Sequence, residues 1–525
     1  MDRPLRLLVA LFVLLAGVLP ARHAQGAAAL ERGVAITDPL ALRELDRAGL
    51  GLGNVLSPTR SPGAPLTGNQ VFGLPSMAAV RNALDDEFDR YVARHKASLP
   101  NESIGVGDSF DFQLFDRALL YSDHSRFVLA GIVNRMDRAF VAPDSCGEIR
   151  LIYRLTRTDR HETGEGAASP RLPMTLNVVL KAKGEHAVDR NGAVVTCAAI
   201  AGRWLAAGDL TQTGAELAAR LTSKDGPLDL VGTENIGRIE TNIQVAHAPK
   251  SAIRDFRTDY LLKVFDYNPE KQIFEEARLE NQIDRARILA DDRLRREFKA
   301  WLLDPKHFAE LDRGTILIPQ QFLATLAIAA TPVGFAASDL QPAFGLVQGD
   351  DAKAAEPVFR ADDVEAALAK AAASGESLQN IRSVGGFARR LNDISCSGCH
   401  QTRGIGGFHF PGVDWMAARP DNSTVVPASP HFFGDQIRRR DILTSLRDGK
   451  VADFSRGFSS RPQLRGSREI AGTEYQDGWG AHCYVQRSNA ADNDSSFGAW
   501  NCAEGLACQA VDQASRMGMC FVKSR

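Results

Sequence analysis

Apolar and polar side chains alternate with a period near two through much of the middle of the chain. Residues 126–134 are rich in β-branched and aromatic types, 148–155 alternate well, and 172–182 do so less cleanly. Asn191-Gly192 reads as a two-residue hairpin turn leading into a further strand over 193–199, and 236–245 and 256–267 add two more strands. Successive runs of this kind with a hairpin turn among them predict an antiparallel sheet.

Helical spacing marks the flanks. Thr37-Asp38-Pro39 supplies an N-cap and an N1 proline ahead of a short helix over 40–48. Residues 53–75, with their glycines and prolines, read as loop, and 77–99 carry Val80, Leu84, Phe88 and Val92 on one helical face. Helical patterns return over 282–303, 361–373 and 383–395, with an apolar stretch over 318–330. Residues 417–470 are sparse in periodicity and are expected to wrap other elements. Arg438-Arg439-Arg440 within them reads as solvated surface.

The pattern predicts a multi-domain α+β protein: an antiparallel sheet region with flanking helices, a mostly helical segment, and a small disulfide-rich C-terminal unit. The expected boundaries are a leader over 1–26, an α+β domain over 27–280, a mainly helical region over 281–470 and the small unit over 471–525. A length of 525 residues exceeds one ordinary domain.

Composition narrows the function classes. Hydrophobic residues at 44% and charged residues at 24% give a globular balance. A formal net charge of −2 supplies no field for nucleic acid, and none is expected as a partner. Arg3 and Arg6, the apolar run 7–19, and Ala24 and Gly26 as a small-residue cleavage signal read as a secretory signal peptide. No second apolar run of spanning length follows, so no transmembrane segment is expected after cleavage, and the location expected is periplasmic or secreted.

Cysteine usage agrees with export. Six of the eight cysteines lie outside one tight motif, an even number as pairing requires. Cys146 and Cys197 bracket one meander and are expected to pair, closing a loop worth roughly 3–4 kcal/mol on the loop-entropy model. Cys483, Cys502, Cys508 and Cys520 stand among Gly, Asn, Asp and Ser. That segment has too few aliphatic residues for a core, so two disulfides must order it. Three pairings are open there, of which 483–508 with 502–520 is the expected one.

The remaining two thiols fall in Cys396-Ser397-Gly398-Cys399-His400. Thiols at i and i+3 share a helical face and match the spacing of the two haem vinyl groups. The histidine that follows is placed as an axial ligand. The expected cofactor is therefore one covalent haem c, with Cys396 and Cys399 attaching it and His400 ligating iron. A redox dithiol or a structural disulfide are the competing readings of the cysteines.

With Gly386 and Phe387 ahead of it, this string resembles the leading helix and attachment site of c-type cytochromes. The longer run through Gln401-Thr402-Arg403 to Gly407-Phe408-His409 is similar to a group of long exported bacterial proteins of unassigned activity. So are Asn134-Arg135-Met136-Asp137-Arg138 and Cys146-Gly147-Glu148. Two residues compete as distal ligand. His409 is nine residues from His400, a reach of about 30 Å when extended; Met416 is the second candidate, and packing beside Trp415 is its other reading. The function expected is electron transfer with a redox partner protein or small-molecule redox substrate. The alternatives are a haem-dependent oxidoreductase of peroxidase or oxygenase type with an open distal site, and an envelope or extracellular binding protein with a secondary haem.

Overall fold

The computed structural model describes residues 32–57, 65–98, 102–104, 117–158, 171–184, 186–189, 192–249, 257–330, 357–397, 415–416, 430–456, 482–493, 501–502, 506–510 and 517–522. The expected leader, Cys399, His400 and His409 lie outside the described residues. The fold is mixed α+β. Its centre is a nine-stranded sheet in which every pairing is antiparallel. The strands are β1 (Ala35–Ile36), β2 (Glu102–Ile104), β3 (Ser125–Arg135), β4 (Glu148–Arg157), β5 (Arg171–Lys181), β6 (Ile236–Pro249), β7 (Arg257–Asn268), β8 (Ile273–Ala277) and β9 (Ala327–Ala330). The order is β1-β3-β4-β5-β6-β7-β8, with β2 on β6 and β9 on β7.

Alternation assigns the two faces. Leu151, Tyr153, Leu176, Val178, Ile239, Ile243, Leu261 and Phe265 point to one side, into the larger core. Helices cover that side: Pro39–Leu45, Ala78–Ser98, Cys197–Gly208 and Gly214–Thr222 all contribute to the same cluster. The first begins where Asp38 predicts, since Asp38 Oδ1 accepts from Ala41 N at 2.8 Å.

Three local expectations are corrected. The stretch over 53–75 is not plain loop: it holds the short helices Leu52–Leu56 and Gly68–Phe72, the latter closed by a Thr67–Gln70 capping box. The turn at Gly192 leads to a single bridge, Val188 to Val194, and then to the helix Cys197–Gly208, so 193–199 is not a strand. Thr196 decides this, because its hydroxyl accepts from Ala199 N and starts the helix. The helix Pro430–Arg447 occupies part of the stretch expected to be aperiodic.

Cys146 and Cys197 are bonded, with Cα atoms 5.3 Å apart and a sequence separation of 51. Cys146 and Gly147 both adopt positive φ. At Gly147 a Cβ would lie 2.7 Å from Met136 Cα, so only glycine fits this close approach.

A second core forms from the helices Asp292–Leu302, Pro305–Arg313, Ala361–Ala373 and Val384–Asp393. Two elements within 281–470 join the sheet domain instead: β9 pairs with β7, and Leu443 of Pro430–Arg447 enters the larger core. The C-terminal unit is a three-stranded antiparallel sheet, with β12 (Met517–Val522) between β10 (His482–Tyr484) and β11 (Leu506–Ala510). Cys483 bonds Cys508, and Cys502 is also disulfide-bonded. Among the described residues, no helix is long and apolar enough to cross a membrane.

Candidate haem-attachment site and the buried polar sheet face

The helix Val384–Asp393 carries the chain into the cysteine motif, and its start is fixed by hydrogen bonds. The buried carboxylate of Asp312 accepts from the backbone N–H groups of Gln379, Asn380 and Ile381 at 2.6–2.9 Å. Ser383 Oγ then accepts from Gly386 N at 2.9 Å as the N-cap. Phe387 is fully buried, stacked on Phe308 with ring centroids 5.4 Å apart and edge-on to Phe359. Arg390 is buried too, donating from Nε to Leu311 O and from Nη2 to Asp312 O. Burial lowers its pKa to about 10, with Asp393 opposing the shift.

Cys396 emerges from this helix against the sheet domain. It forms no disulfide and packs on Leu262, Val264, Leu279 and Ala327. Its Sγ lies 3.6 Å from Glu280 O. Ser397 donates from N and Oγ to Gln282 Oε1. The first half of the motif is thus held over the middle of β7 and the start of β9, on the face opposite the larger core.

That second face is polar, yet it is buried. Registry places Ile152, Asn177, Glu240 and Val264 in one cross-strand row, and Arg154, Thr175, Asn242 and Leu262 in the next. Cys396 therefore touches the apolar ends, Val264 and Leu262, of two rows that become polar one strand away. Asn177 is 1% exposed, and neither its Nδ2 nor its Oδ1 has a hydrogen-bond partner; Asn242 Oδ1 lacks one as well. A buried polar group left unsatisfied costs about 1–3 kcal/mol. An apolar edge beside the thiol, followed by unsatisfied amides, suits a flat ligand that is apolar at one side and polar at the other, as haem is.

A chain of ion pairs runs along the same face. Arg150 binds Glu240 at 2.8 Å and Glu148 at 2.9 Å; Arg138 binds Glu148 at 3.1 Å and Glu280 at 2.5 Å. Arg135 donates to Asp137, and Arg438 bridges Asp137 and Asp435, which Arg439 also binds. Burial opposes ionisation of Asp137, but the guanidinium groups of Arg135, Arg439 and Arg438 outweigh it and hold the carboxyl well below its usual range. The run 438–440 is therefore not simple solvated surface: Arg439 is buried and Arg438 largely so. Sequence reading missed this because a basic run and a surface run look alike. Asp435 at i−3 and i−4 was the available signal.

Met416 sits elsewhere. With Trp415, Arg126 and Asp46 it lines a cavity of about 350 Å³ at the β3 edge of the sheet. Trp415 Nε1 donates to Leu129 O, and Leu129 N donates to Asp46 Oδ1, so both side chains cap the exposed edge of β3. In sheet order β3 and β7 are four spacings apart, on the order of 19 Å at ~4.8 Å each. The structure does not bring Met416 beside Cys396. A larger cavity, about 950 Å³, opens at the other end of β5–β8, lined by Lys181, His186, Glu234 and Tyr267 among others.

In the C-terminal unit the sulfurs of Cys483, Cys502 and Cys508 lie within 4.8 Å of one another. All three are in disulfides, which removes the thiolates that zinc would need. Compared with known proteins, the chain matches no family model, no curated protein and no solved structure.

Proposed function

We propose that this chain is an exported c-type haem protein that transfers electrons. The observation that carries the reading is selective sparing: among the described cysteines, Cys146, Cys197, Cys483, Cys502 and Cys508 are in disulfides, while Cys396 keeps its thiol. That thiol opens the Cys-x-x-Cys-His string. Disulfides also agree with an oxidising compartment.

Cys396 and Cys399 would hold the haem by thioether bonds, and His400 would ligate its iron. The bound group supplies reversible one-electron chemistry at iron. The protein's own part is positioning. The Leu262–Val264 surface receives Cys396, Gln282 fixes Ser397 beside it, and the packed helix Val384–Asp393 fixes the approach to both. The buried, ion-paired sheet face supplies a low-dielectric wall that lowers the reorganisation around a change of charge.

The test is the visible spectrum of the full chain made with a haem-maturation system. A low-spin ferric spectrum, unmoved by cyanide or peroxide, is expected. A high-spin spectrum that shifts with either ligand would replace electron transfer with ligand-activating chemistry.

A further inference from the structure

Buried guanidinium groups crowd around two carboxylates on this sheet face. Arg135 and Arg438 bind Asp137, and Arg438 and Arg439 bind Asp435. There, Arg135 Nη2 and Arg438 Nη2 both donate to one oxygen, Asp137 Oδ2, at 3.3 and 2.9 Å. The Nη1 nitrogens of the same two groups are buried and have no hydrogen-bond partner. Arg135 as a whole is 1% exposed. Burial and the nearby Arg439, Arg150 and Arg138, opposed by Asp137, lower its pKa to about 9. A buried donor left unsatisfied is costly, and a forked guanidinium pair with spare donors matches a planar carboxylate.

We propose that Arg135 and Arg438, bridged by Asp137, form a buried binding site for one carboxylate-type anion. Arg138 connects the site towards the haem motif: it lies in the field of Asp137 and is held by Glu280, whose backbone oxygen faces Cys396 Sγ. Two sources share this chemistry: a propionate of the attached haem, which rests on the reading above, and a free small carboxylate, which does not.

The probe is sodium acetate, read as thermal unfolding against sodium chloride at equal ionic strength. Two chains are compared: haem-loaded full-length protein and the haem-free Cys396→Ser/Cys399→Ser form. In the haem-free form acetate is expected to raise Tm saturably, by about 5 °C, and Arg438→Gln to remove the gain. Arg438 lies on a helix with one-fifth of its side chain exposed, so its replacement spares the core; Arg438→Lys keeps the charge without the fork and should restore only part of the gain. In the haem-loaded protein acetate should add nothing, and Arg438→Gln should shift the haem midpoint potential.

Equal acetate gains in both chains keep the site and assign it to a free carboxylate. If maturation attaches no haem, an acetate gain in the unloaded chain keeps the site while the haem reading fails. If the Cys→Ser form does not fold, the potential shift in the loaded protein decides. No acetate gain in the haem-free form, together with an unchanged potential in Arg438→Gln, overturns the proposal.

Discussion

Gln282 Oε1 accepts two hydrogen bonds from Ser397, from the backbone N at 3.0 Å and from Oγ at 3.1 Å. Gln282 itself is fixed by its backbone, donating to Leu279 O and accepting from Ala324 N. One side chain from the segment after β8 therefore sets the position of Ser397, directly after the first cysteine of the motif.

Gln282→Leu should keep the shape but leave Ser397 N and Oγ unsatisfied, at a cost of about 1–3 kcal/mol. The expected outcome is a chain that folds with a modestly lower Tm and a clearly lower yield of covalent haem, read by haem staining on a denaturing gel. An unchanged yield would remove Gln282 from the positioning of the motif.

Removing the Cys146–Cys197 bridge by a double Cys→Ala change should lower stability by about 4 kcal/mol on the loop-entropy model for a separation of 51 residues. Because the bridge ties the turn before β4 to the helix Cys197–Gly208, the loss should appear as a fall in the denaturant midpoint. Haem attachment, if the chain still folds, should persist. A change below 1 kcal/mol would mean that Gly147 and the strand pairing already fix this turn.

Much of the sheet is legible in the sequence, and the reasons are local. β4 alternates well, β5 less cleanly, and β3 is marked by β-branched and aromatic residues, while Asp38, Ser383 and the alanine-rich helix Ala361–Ala373 follow capping and propensity rules. The helix Cys197–Gly208 is misread because Val194-Val195-Thr196 looks like a strand, whereas Thr196 is an N-cap. The polar face is misread for a different reason. Alternation separates two faces but does not say whether the polar one meets water, and Arg150, Asn177, Glu240 and Asn242 are all buried. Only tertiary covering reveals that; the local signature of the ion-pair network around Asp137 is the spacing of Asp435 before Arg438 and Arg439.

Stability should fall in acid. The pKa values of Asp137, Glu148, Glu280 and Asp435 are all lowered in the folded chain: burial opposes ionisation, and neighbouring arginines outweigh it. Each folded value lies below the unfolded one, so the unfolded chain binds more protons as pH falls. The stabilisation is complete above about pH 5 and is lost progressively below it. Asp137→Asn should cost about 3–5 kcal/mol at pH 7 and flatten this dependence, because it leaves Arg135 without its partner. Equal acid sensitivity in wild type and variant, followed by denaturant unfolding across pH 3–7, would contradict the assignment.

The two distal candidates should separate spectroscopically. Met416 lines the cavity beside Arg126 and Trp415 at the β3 edge, so Met416→Ala should leave the haem spectrum unchanged and affect only packing. His409→Ala should change the ferric spin state. A loss of the low-spin spectrum in Met416→Ala alone would reverse the two assignments.

The most direct test is mass spectrometry of the peptide spanning Cys396 to His400, taken from mature protein made with haem-maturation machinery. The account predicts one iron porphyrin added across both cysteines by thioether bonds. Two alkylatable thiols, or an internal disulfide, on a peptide with no porphyrin mass would contradict it.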